Sequence, residues 1–202
     1  MELGMWTILW LGLVIGLRHA LDPDHVIAVS TIASRHKNVW KAGIAGVYWG
    51  VGHTITILLI GLAVLLLDLS VSEQYDVYFE WVVAVVLIYL GISAVRDARK
   101  GQFTARQAEV KRGYHRSLLT GMVHGLAGSA ALMLLMLSQI EHVGQGLSFL
   151  LLFGAGSVLG MYVIALILSL PMRLSKSDLF QRRLVYGVGL VSITFGFILF
   201  FF

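Results

Sequence analysis

Arg18-His19-Ala20-Leu21-Asp22-Pro23-Asp24-His25 interrupts an otherwise apolar stretch that runs from Met5 to about Ala33. Five of these eight residues can carry charge, and one is proline. An ionised group at the centre of a membrane span costs ~2.5–3.5 kcal/mol on insertion scales. Such a cluster persists where it faces protein or a wet cavity, so it reads first as a functional site. A structural ion pair between Arg18 and Asp22, at i,i+4, would explain two of its members. It leaves His19, Asp24 and His25 unexplained. Pro23 removes its own N–H and frees the carbonyl four residues back, that of His19. The first helix is therefore expected to break at Pro23, with the polar cluster at the break.

The rest of the chain is the setting for that cluster. Of 202 residues, 58% are hydrophobic and 13% charged, with mean hydropathy +0.85. Soluble domains carry about 25% charged residues, so the composition indicates an all-α integral membrane protein. Six apolar stretches, roughly 5–33, 42–67, 77–95, 117–140, 147–170 and 184–202, approach or exceed the ~20 residues a span needs. Each is helix by exclusion, because lipid-exposed backbone must satisfy its own hydrogen bonds. The first run has no basic leader and no small-residue cleavage site, so it is expected to stay as a span rather than act as a signal peptide. The chain contains no cysteine, which excludes thiolate metal sites, disulfides and thiol redox chemistry.

Charge sets the orientation. Fourteen of the fifteen Lys and Arg fall in three segments: Arg35 to Lys41, Arg96 to Arg116, and Arg173 to Arg183. The fifteenth is Arg18. The alternate segments carry only acidic residues, among them Asp68, Glu73, Asp76 and Glu141. Cytoplasmic loops hold the Lys and Arg excess, so both termini are expected outside. The basic balance is then a topology signal with a secondary attraction to anionic lipid headgroups, and it does not point to nucleic acid. The loop 96–116 reads as a solvated cytoplasmic hinge that has room for a short helix from Ala105 to Lys111.

The two halves resemble each other. Shifted by 104–105 positions, Gly16-Leu17-Arg18-His19 falls on Gly121-Met122-Val123-His124. Gly50-Val51-Gly52-His53 falls on Gly154-Ala155-Gly156-Ser157, and Leu90-Gly91 on Phe195-Gly196. Three helices per copy is an odd number, so the second copy enters from the opposite side. This predicts two inverted-topology three-helix repeats within a single transmembrane domain, 1–202. Repeat 1 covers about 1–95 and repeat 2 about 117–202. Transporters of that architecture place the substrate near the midplane, at interrupted helices.

Histidines mark that level. From Ala42 to Leu67 the span is uncharged except for His53. It lies about eleven residues into its span, ~16 Å at 1.5 Å per residue. His19 and His124 come from two further spans. On an unbroken helix His19, Asp22 and His25 would share a stripe and Asp24 would face away; the break would return Asp24 to the same cavity. Imidazole nitrogen with carboxylate oxygen and no sulfur suits divalent Ni, Co, Zn, Mn or Fe. The candidate metal ligands are His19, Asp22, Asp24, His25 and His53, with His124 as a gate or transient ligand. A lone histidine on an apolar span is more often a hydrogen-bonded core residue, and for His124 the two readings balance. His36, His115 and His142 lie in or beside loops and read as solvated or interfacial.

Arg18-His19-Ala20-Leu21-Asp22-Pro23-Asp24-His25-Val26 resembles the R-H-A-x-D-A-D-H-I signature of the nickel/cobalt transporter family, with its H-x4-D-H core. Tyr48-Trp49-Gly50-Val51-Gly52-His53-Thr54 resembles that family's F-F-x-x-G-H-S signature. The second half, at His124-Gly125-Leu126-Ala127-Gly128-Ser129-Ala130, has no carboxylate, and Gly160-Met161 lacks a following aspartate. In this the chain is most similar to short nickel permeases of the urease-accessory type. The resemblance implies a carrier, not an enzyme, without a resident cofactor, that moves Ni2+ or Co2+ as substrate across the inner (cytoplasmic) membrane. It implies partners in the metal ion, the lipid bilayer and cytosolic nickel-handling proteins, and it allows an oligomer. A metal exporter of the same fold is the alternative. An electron-carrier or thiol-relay subunit of similar helix count would need the cysteines this chain lacks.

Overall fold

The computed structural model describes residues 5–67, 76–101, 107–126 and 142–201. Every regular element among them is an α-helix: α1 (Met5–His19), α2 (Pro23–Ala33), α3 (Val39–Leu67), α4 (Asp76–Arg99), α5 (Gln107–His124), α6 (Val143–Leu174) and α7 (Asp178–Phe201). Four of the seven, α3, α4, α6 and α7, are long and apolar enough to cross a bilayer. They coincide with four of the six expected spans. Their perimeter carries exposed Leu59, Tyr89, Leu151, Ile167 and Phe201, as lipid-facing surfaces do. The interior holds Trp49, Leu87, Met161 and Val29.

The first apolar stretch is two helices. α1 is 15 residues, about 22 Å, and too short to cross alone. It ends in a tight turn in which the Leu21 N–H meets the Arg18 carbonyl at 2.8 Å and the Asp22 N–H meets the His19 carbonyl at 3.0 Å. Asp22 is extended (φ −59°, ψ 141°), as a residue before proline prefers to be, and Pro23 opens α2. The break therefore lies one step ahead of the proline, and the His19 carbonyl is not left free.

The fourth expected span also begins differently. α5 starts at Gln107, ten residues before the expected 117, and takes in much of what reads as a hinge. Gln, Ala, Glu, Lys and Arg are good helix formers, and Gln107-Ala108-Glu109-Val110-Lys111-Arg112 lets the helix extend beyond its apolar part. α4 closes at Arg99, and Gly101 turns the chain at φ +67°. α5 ends at His124, followed by a turn at Gly125 and Leu126. The remainder of that span, 127–140, lies outside the described residues.

Glycines set the packing. α1 runs parallel to α6: a methyl group on Gly16 would strike the Phe153 carbonyl, and one on Gly156 the Leu13 carbonyl. α3 runs parallel to α5, where Gly121 meets the Trp49 carbonyl and Gly52 the Leu118 carbonyl. α3 and α6 cross antiparallel, with Gly46 against Met161 and Gly61 against Leu150. α4 and α7 also cross antiparallel; Gly91 and Gly189 face each other, Gly196 meets the Ala84 carbonyl, and the Ser192 hydroxyl donates to the Leu87 carbonyl at 2.8 Å. These four contacts are the most extensive among the described residues, and the eleven residues of α2 touch α3, α4, α6 and α7 together. Without a hydrophobic drive between helices in lipid, such close small-residue contacts are what hold them together.

One end of the bundle gathers the basic segments. The Arg35 guanidinium contacts Asp97 at 2.9 Å and donates to the Ser93 hydroxyl at 3.0 Å, which ties the end of α2 to α4. Lys37 lies 3.7 Å from Asp178, and Arg182 donates to the Arg99 carbonyl at 3.4 Å. The first described residue of α1 and the last of α7 lie at the opposite end.

Candidate metal centre

Each histidine of the centre arrives on a different device. His19 is the last residue of α1, and His25 sits in the first turn of α2. The turn between them folds the two rings together, with centroids 4.4 Å apart. His53 projects from the middle of α3, where Gly50 and Gly52 let α6 and α5 come close. Its ring lies 4.9 Å from that of His25 and 5.1 Å from that of His19. One nitrogen from each of the three falls within 4.8 Å of the other two. All three side chains are buried, His53 completely.

The nitrogens are aimed inward. His19 Nδ1 is 2.7 Å from Asp22 Oδ2, which can only accept, so Nδ1 carries the proton and Nε2 keeps its lone pair. His19 Nε2 then accepts from the His53 Nε2–H at 3.0 Å. Asp24 Oδ1 is 2.9 Å from His25 Nδ1 but out of line for a hydrogen bond. Both nitrogens of His25, His53 Nδ1 and both nitrogens of His124 have no hydrogen-bond partner. A buried polar atom without a partner costs about 1–3 kcal/mol, and several together need an explanation. A cation bound by nitrogen lone pairs is one, and it would take the place of the proton shared between His19 and His53.

Aromatic rings wall the cluster. Trp49 stacks on His53 (5.5 Å, 6° between planes) and meets His25 edge-on at 5.1 Å. Phe153 lies 5.3 Å from His19. Neither wall stands out in the sequence as a site residue. Trp49 was within reach, four residues before His53 on the same helix face; Phe153 is visible only as the residue 104 positions after Trp49.

The expected ligands separate into two rows. His19, His25 and His53 converge. Asp22 and Asp24 stand beside them, each against the Nδ1 edge of a histidine, and neither joins the three-nitrogen group. His124 is fully buried; its ring is 5.8 Å from that of His25 and 5.2 Å from Trp49, so it stands next to the group rather than in it. Arg18 is exposed, and the polar contact that Asp22's carboxylate makes is to His19. His115 and His142 are exposed as expected, but His36 is buried.

The chain is 38% identical over 207 aligned residues to the urease accessory protein UreH of Bacillus sp. (strain TB-90), covering 96% of this chain and 91% of that protein. The chain belongs to the UreH family of urease accessory proteins. More distant likenesses are to two Arabidopsis thaliana proteins, chloroplast proteins FOR GROWTH AND FERTILITY 2 and 1. They are 28% and 25% identical over 94% and 78% of this chain, which spans about half of each (55% and 48%). No protein-family model and no solved structure matches this UreH-family chain.

Proposed function

We propose that this UreH-family protein is a carrier of divalent transition-metal ions in the cytoplasmic membrane. Nickel is the first expected substrate and cobalt the second, with inward transport. The observation that carries this reading is the cluster of His19, His25 and His53, buried at a helix break among apolar helices, with both nitrogens of His25 and Nδ1 of His53 unpartnered. Three neutral imidazoles offer replacement ligands to an ion that has shed water, and the absence of thiolate tempers the hold on it. The relative's name points the same way, because an accessory protein of urease has a role in handling the metal for that enzyme. Asp24 and His124 are the polar groups next along the path, and His124, beside His25, is placed to take the ion as it leaves. The protein acts as one transmembrane unit, without resident cofactor and without catalysis, with both termini outside. The gathering of Arg35, Arg99, Lys37 and Arg182 at one end supports that orientation.

Packing supports an inverted repeat. The contact of Gly16 with Phe153 has its counterpart, 104–105 positions on, in that of Gly121 with Trp49; Gly52 with Leu118 corresponds to Gly156 with Leu13, and Gly91 with Gly189 to Gly196 with Ala84. In this reading α1 and α2 form one broken span. The site is one-sided, since His25 and His53 correspond to Ala130 and Ser157. The test is uptake of radioactive nickel by cells that lack other nickel importers. His19→Ala and His25→Ala should each lower uptake at least tenfold at equal membrane abundance. Full uptake by the double variant would end the proposal, and nickel loss from loaded cells would indicate export.

A further inference from the structure

Asp22 occupies the N-cap of α2, where an aspartate side chain ordinarily accepts from the N–H of the second or third helical residue. Here it makes no such bond. Its backbone carbonyl accepts from the Val26 N–H at 3.0 Å, but its carboxylate turns back across the break to His19 Nδ1, at 2.7 Å. The His19 ring thus lies between this carboxylate and the nitrogen cluster. The side chain is 45% exposed, while that of His19 is 5% exposed, so the aspartate approaches the centre from the outer side of a buried ring. Arg18, the partner that spacing suggests, is itself exposed.

We propose that Asp22 is a positioning residue. It holds the proton of His19 on Nδ1 and fixes the ring so that the Nε2 lone pair faces the ion, and it is not itself a ligand. The proposal rests on the reading of the three histidines as the metal site. A carboxylate behind a ligating imidazole sets the tautomer and raises ligand basicity, and its loss typically weakens metal binding 10–100-fold.

Co2+ titration of the purified protein in detergent tests this, because the ligand-field bands of Co2+ report the donor set independently of affinity. Asp22→Ala should weaken Co2+ binding 10–100-fold yet reach the wild-type band positions and intensities at saturation. Asp22→Asn, which keeps an acceptor for Nδ1–H but loses the charge, should fall between the two and share the wild-type spectrum. It also serves as the deciding variant if Asp22→Ala does not accumulate. His19→Ala should change the spectrum itself. Bands that shift in the Asp22 variants would make Asp22 a ligand, and unchanged affinity in them would leave its carboxylate without a role; either result overturns the proposal. If wild-type protein binds no Co2+, the metal site itself fails, an outcome distinct from both.

Discussion

His36 shows what a single buried residue adds away from the centre. It is 7% exposed, between α2 and α3, and burial with Arg35 and Lys41 nearby lowers its pKa from 6.5 to about 4. Well above pH 6.5 the ring is neutral in both folded and unfolded chains and contributes nothing to pH dependence. As pH falls below 6.5 the unfolded chain takes up a proton that the folded chain refuses, and stability is lost until about pH 4, where the folded ring also protonates. Between pH 6.5 and 5 that amounts to about 2 kcal/mol. Thermal unfolding in detergent should therefore show His36→Gln losing less stability than wild type across that interval; parallel curves would mean the ring is not held neutral. The sequence puts His36 beside a loop and does not show that the folded chain buries it. The three central histidines were legible because charge and imidazole are rare inside apolar runs. The separate place of Asp22 was not, since it depends on a side chain declining its cap bond, and no spacing encodes that.

At the scale of helices, hydropathy identified the four long spans because each is a continuous apolar run. It located the break only to within a few residues, since Pro23 acts on the residue before it as well as on itself. It separates the short helix expected within Ala105 to Lys111 from the span that follows, whereas α5 runs unbroken from Gln107, because helix propensity continues where apolarity stops. The sequence shows where the glycines lie, but which carbonyl each one meets needs the third dimension. That knowledge makes a sharp contrast. Gly16→Ala and Gly121→Ala would each push a methyl group into a rigid backbone carbonyl, of Phe153 and Trp49 respectively. Each should cost roughly 1–3 kcal/mol, as overpacking does. Gly187, in α7, has nothing within 4 Å of a built methyl group. Replacing it by Ala removes only the entropy that glycine gives up, so Gly187→Ala should stabilise by about 0.5–1 kcal/mol. Denaturation in detergent compares the three. Equal effects at all three positions would mean that the glycine contacts do not hold the helices.

The whole molecule constrains how an ion could be moved. Rocking one repeat against the other is the simplest motion that two similar halves suggest. Yet α1 packs on α6, α3 on α5 and on α6, and α4 on α7, so each of the four most extensive contacts joins one half to the other. The sequence offset revealed the resemblance between halves but not this interleaving, because hydropathy does not say which helix a helix faces. Sliding the halves would drag glycines across the backbones they touch. α2 is the better candidate to move: it is short, joined to α1 by a break, and carries Asp24 and His25. Its far end is tied down by the Arg35–Asp97 pair, so the motion would centre on the break. The chain has no native cysteine, so spin labels can be placed on introduced pairs without removing any. Labels at Lys100 and Arg183, exposed near the ends of α4 and α7, should keep the same distance distribution with and without Ni2+. Labels at Leu21 and Leu59, both exposed, should report a shift as the break responds to the ion. A shift at the first pair with none at the second would restore rocking halves and leave the glycine contacts as a feature of one state alone.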